Sequence, residues 1–170
     1  MNDTKLDQER TDLLETLGKH RELFRFTVQG LSDEQAARTP TDSALCLGGL
    51  IKHVTFVESG WVDFILEGTT AMEAREGSYD AHTNSFRMLE GETLAGILTD
   101  YQVCAKRTDD LVGTLPSLDV SHALPEAPWF EPGARWSARR VFLHIVAETA
   151  QHAGHADIVR ETVDGQKSMG

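Results

Sequence analysis

The chain has 170 residues, 40% of them apolar and 25% charged, which fits one folded domain spanning residues 1–170 and excludes a disordered chain. Sixteen Lys and Arg against 27 Asp and Glu give a net charge of −11. Such a surface repels phosphate backbones and anionic lipid, so nucleic acid and membranes are poor partners.

Two cysteines, Cys46 and Cys104, lie far apart with no CxxC spacing. That excludes a zinc ribbon and a thioredoxin-type motif, and it fits a reducing cytoplasm better than a disulfide scaffold. Both thiols fall among apolar residues and are expected to be buried and structural. The first ten residues lack the apolar stretch of a signal peptide. Apolar runs such as Ala44 to Ile51 are far too short to span a bilayer.

Four segments carry helical periodicity. The first runs from about Asp7 to Val28, with Leu13, Leu14, Leu17, Phe24 and Val28 on one stripe and Gly30 where a cap belongs. Ser32 and Gln35 have the spacing of a capping box, which predicts a short helical turn through Arg38, ended by Pro40. The second long helix runs from about Ser43 to Leu66. Leu47, Leu50, Val54, Val57, Trp61, Phe64 and Ile65 form its stripe, with His53 at the edge and Gly68 after its end. The stretch Gly68–Gly91 has weak periodicity and reads as a long connection, a feature that is usually functional or mobile. The third helix spans about Glu92 to Leu115. Pro116–Trp136 is a second connection holding four prolines and the pair Trp129-Phe130. The last helix runs from about Ser137 to Val163, capped by Gly165. Four long amphipathic helices without strand alternation between them predict an all-α bundle.

The informative stretch is His144-x3-Glu148-x3-His152-x2-His155. At about 100° per residue, taking His144 as zero, Glu148 falls near ~40°, His152 near ~80° and His155 near ~20°. All four share one quarter of the helix, beside Val141 and Val159, on the side expected to face the bundle. Such a stripe is unfavourable unless its polar groups are satisfied. A divalent cation would satisfy several together, and ligands at i and i+4 project side by side. Glu148 and His152 supply two ligands. The third comes from a facing helix, with His53 favoured and His20 next, since Lys19, Arg21 and Glu22 place His20 in wetter surroundings. His82 and His122 fall in the connections. A polar network or a half-exposed face is the competing reading of the arc.

Other chemistries fit less well. A di-iron bundle needs two Glu-x-x-His pairs, and no Glu here has a His three residues on. GxGxxG, Walker A and GxSxG motifs are missing too. Trp61, Trp129 and Trp136 read as core or as the wall of a pocket.

Several of these residues carry a resemblance: Gly49-Leu50-Ile51-Lys52-His53, then Trp61, Arg135-Trp136, the His144 to His155 run, and Arg160-Glu161-x3-Gly165. The chain resembles the DinB-like superfamily of four-helix metalloproteins, and within it the mycothiol-dependent branch of S-transferases and maleylpyruvate isomerase. The resemblance covers nearly the whole chain. It implies an up-down-down-up bundle in which Gly68–Gly91 crosses the length of the molecule and Pro116–Trp136 covers one end. It implies a divalent metal, most often zinc, held by His53, Glu148 and His152. A Gln is frequent in the family where this chain has His155, whose role as fourth ligand, supporting partner or base stays open. Trp61, Trp129 and Arg135 are candidates for the wall of a cofactor pocket. The implied activity joins a low-molecular-weight thiol, mycothiol first, to an electrophilic small molecule. A metal-dependent hydrolase and a non-enzymatic binding bundle are the alternatives, and a homodimer is compatible with each.

Overall fold

The computed structural model describes residues 6–76 and 79–168. The first five residues, part of the stretch read for a leader, lie outside it, as do Gly77, Ser78, Met169 and Gly170.

Helix α1 (Gln8–Phe26) starts where the Asp7 side chain accepts the Arg10 N–H and buries Leu13, Leu17 and Phe24. It stops short of Val28 because Thr27 turns its own N–H and hydroxyl onto Phe24 O. The short helix α2 (Asp33–Ala37) has both arms of the capping box: Ser32 Oγ accepts from Gln35 N, and Gln35 Oε1 accepts from Ser32 N. Helix α3 (Leu47–Glu67) begins four residues later than expected. The hydroxyls of Thr41 and Ser43 accept the N–H groups of Ser43 and Leu45, holding that stretch in side-chain turns instead of a helix. The cap falls to Cys46, whose sulfur accepts the Gly49 N–H at 3.3 Å.

The first long connection is not irregular. It forms α4 (Thr69–Glu76) and α5 (Tyr79–Ser85), each of about two turns. Elements this short bury too few residues to show a stripe: α4 packs Met72 against the core and α5 buries Ser85. Helix α6 (Leu94–Thr114) is capped by Thr93. The second connection contains a ladder the sequence did not announce, β1 (Ser121–Ala123) antiparallel to β2 (Arg135–Ser137), with His122 opposite Trp136. Three residues per strand are too few to display alternation. Helix α7 (Ala138–Asp164) runs from a Ser137 cap to Gly165 in the left-handed conformation.

Contacts between the long helices fix their directions. Arg139 meets Glu9, and Arg160 donates to Thr27 O and Gln29 O, so α1 and α7 run parallel. Arg10 donates to Val112 O and Leu115 O, so α6 opposes α1. Cys104 reaches Thr55 O and Arg107 pairs with Asp63, so α3 and α6 run parallel. Trp61 faces His144 and His53 faces His152, so α3 opposes α7. The order is up, down, down, up, as the resemblance implied.

Two apolar clusters fill the bundle. One gathers Leu13, Leu17, Phe64, Val112 and Phe142; the other gathers Phe24, Leu50, Val54, Tyr101 and Val159. Burying each such side chain contributes roughly 1.5–3 kcal/mol. Between them Arg21 reaches across from α1 to Glu58 Oε1 and Asp109 Oδ1, both at 2.6 Å. Thr108 Oγ donates to the same Glu58 oxygen at 2.5 Å. Burial drives the nearby Tyr101 phenol far above its ordinary pKa, and the Glu58 charge adds to this. Cys46 and Cys104 are both buried and are not joined by a disulfide.

Candidate metal centre

His53 stands on α3, 5% exposed, facing α7. Its Nδ1 lies 3.0 Å from Ser85 Oγ, and that hydroxyl lies 2.6 Å from His82 O. The carbonyl can only accept, so Ser85 donates to His82 O and accepts from His53 Nδ1–H. Nε2 is then the ring nitrogen with a free lone pair. Phe86 stacks on the His53 ring at 3.7 Å with an interplanar angle of 20°. Burial, then the neighbouring His152 and His82, push the His53 pKa down to about 4. The imidazole is therefore neutral at pH 7, the state a ligand requires.

Glu148 and His152 come from α7. Glu148 Oε2 lies 3.5 Å from His152 Nε2, and Oε1 lies 3.7 Å from His144 Nε2. The bond to His152, together with the nearby His144, holds the Glu148 carboxyl below its usual range in spite of burial. The His53 and His152 rings meet edge-on at 5.0 Å. One donor atom from each of His53, Glu148 and His152 can be chosen so that all lie within 4.8 Å of one another. Two imidazoles and one carboxylate match the donor set of mononuclear zinc sites, which keep a fourth position open. The residues present fit a divalent cation.

His155 is half-buried against His152, with the two Nδ1 atoms 3.4 Å apart, and is not one of the three residues whose donor atoms converge. His144 packs against Trp61 and Trp136, which stack on each other at 4.7 Å. Trp61 meets the ligand-bearing helix at His144. Trp129 and Arg135 are not brought to the centre: Trp129 is 72% exposed with its ring against Phe130, and Arg135 donates to Ser121 O across the hairpin. His20 stays on α1. His122 turns to Ile65 O, near the far end of α3.

His82 is the reverse case. Although it lies in the connection, it stands edge-on to His53 at 5.6 Å. Ser85 and Phe86, which hold His53, carried no periodic signal. The one sequence hint was the pair Gly48-Gly49 inside a helical stripe, which marks a close backbone approach.

The pKa shifts set an acid limit. Between pH 6.5 and 4 the unfolded chain protonates the His53 imidazole while the folded, metal-free chain does not. The depressed Glu148 pKa acts in the same direction, because the unfolded carboxylate takes up its proton first as pH falls. The metal-free protein is expected to lose stability steadily from pH 6.5 to 4, seen as a falling urea midpoint. A midpoint unchanged across that window refutes the buried, neutral His53.

The sequence model of a family described as mycothiol S-transferase matches residues 12–165. A solved structure described as a conserved protein from Enterococcus faecalis superposes with a TM-score of 0.68, covering 92% of this chain and 97% of that one at 11% identity. At that identity the likeness concerns the fold alone. No curated protein matches by sequence. No helix among the described residues is long and apolar enough to cross a membrane.

Proposed function

Since the chain belongs to the mycothiol S-transferase family, we propose that it is a divalent-metal-dependent transferase that joins a low-molecular-weight thiol, mycothiol first, to an electrophilic small molecule. One observation carries the metal part: the two imidazoles and the carboxylate of His53, Glu148 and His152 converge from two helices with donor atoms within 4.8 Å. Zinc is the metal this donor set favours. When bound, such a cation supplies a Lewis acid that lowers the pKa of a thiol from near 8.5 towards neutrality.

The chain's own residues do the rest. Ser85 and Phe86 orient the His53 ring. His155 meets His152 at Nδ1 and is read as its supporting partner. The stacked Trp61 and Trp136, with His144 edge-on to both, make an aromatic wall one turn from Glu148. That wall suits the hydrophobic part of an electrophile. A cytoplasmic location fits the chemistry, since small thiols are kept reduced there.

The rival reading is a hydrolase that uses the open position for water. Calorimetry of thiol binding to the zinc-loaded protein in two buffers of different ionisation enthalpy separates them. A thiol that enters protonated and is held as thiolate releases a proton, so the apparent enthalpy is expected to differ between buffers. Thiol consumption with a halodinitrobenzene is expected alongside. Equal enthalpies, with product formed as fast without thiol, would hand the assignment to the hydrolase.

A further inference from the structure

The segment after α5 is bolted onto the first turns of α3. The Cys46 thiol donates to Phe86 O at 3.8 Å while capping the helix, and Lys52 Nζ donates to Arg87 O at 3.3 Å. Between these two points the contact is tightest at glycine. A Cβ built on Gly49 would stand 2.0 Å from Phe86 O and 2.4 Å from Phe86 C. Those are backbone atoms, so the segment itself would have to move. At Gly48 the neighbour is Met88 Sδ at 2.3 Å, the end of a flexible side chain. Gly49 is therefore the residue whose missing side chain lets the segment sit down. Seated there, the segment delivers Ser85, 2% exposed, to His53 Nδ1 and Phe86 to the face of the same ring.

We propose that Ser85 is a positioning residue for the metal centre and that Gly49 is the seat that brings it there. Ser85 Oγ–H donates a hydrogen bond to His82 O and accepts one from Nδ1–H of His53, which fixes the tautomer that leaves the Nε2 lone pair free for a metal. Phe86 blocks rotation of the ring about its χ2 bond. The connection that wraps the bundle thereby becomes part of the site. Groups that orient a ligand in this way typically change metal affinity by 10–100-fold. The assignment rests on the reading of His53 as a metal ligand.

The test uses the full chain with two independent readouts. The first is the ¹⁵N spectrum of the His53 ring in metal-free protein, which reports the tautomer. The second is the zinc dissociation constant from chelator competition, with the Co²⁺ absorption spectrum as a check on geometry. Wild type is expected to carry the proton on Nδ1. Ser85→Ala is expected to give a mixture of tautomers and a zinc Kd about 10–100-fold higher. Gly49→Ala is expected to reproduce both changes with Ser85 untouched. Gly18→Ala, on α1 with nothing within 4 Å of a Cβ, should change neither. If Ser85→Ala keeps the tautomer, the Kd and the cobalt spectrum of wild type, the proposal is overturned. If Gly49→Ala alone leaves them unchanged, the seat is overturned. If the tautomer shifts as expected but wild type holds no zinc, the metal reading fails and the tautomer assignment stands.

Discussion

Alanine at His53, Glu148 or His152 is expected to lower zinc affinity by more than the ~100-fold that marks the loss of a supporting partner, and to abolish transferase activity. Three protein ligands and one open position leave no spare donor. None of the three residues belongs to either apolar cluster, so helical content by circular dichroism should survive. His155 meets His152 at Nδ1, so His155→Gln should weaken binding by about 10–100-fold without removing it. Metal content of protein purified without a histidine tag decides the matter. Full occupancy in the Glu148 variant would mean that the trio is misassigned.

Glu58→Ala should produce the largest loss of stability. Removing one partner of a buried ion pair typically costs about 3–5 kcal/mol, because the other charge is left in a poor environment. Here Arg21 keeps Asp109, whose side chain is 44% exposed, which pulls the effect towards the lower end of that range. Thr108 also loses the oxygen to which it donates. For a chain of this size the melting temperature should fall by roughly 6–20 °C. The exposed Lys106–Asp110 pair is the control: both side chains are more than half exposed, and Asp110→Ala should cost well under about 1 kcal/mol. Equal melting temperatures for the two variants would show that the Arg21–Glu58 pair contributes no more than a surface contact.

What the sequence determined by itself was everything set by neighbours along the chain. Leu13, Leu17 and Phe24 recur on one side of α1, and Ser32 with Gln35 closes both arms of its box. Glu148 and His152 stand side by side because four residues make about one turn. Even the partner helix was legible, since His53 borders an apolar stripe that must face inward. Tertiary structure decided the rest. Ser85, Phe86 and His82 reach His53 because a segment about thirty residues away along the chain folds back onto Gly49. Trp129 and Arg135 point elsewhere because a three-residue ladder, too short to alternate, turns the second connection on itself. Arg21 and Glu58 look like surface charges in sequence and become a buried pair only when α1, α3 and α6 converge. Periodicity reports which face of an element is apolar. It carries no information about which distant segment will cover that face, because that choice depends on contacts made only when the whole bundle closes.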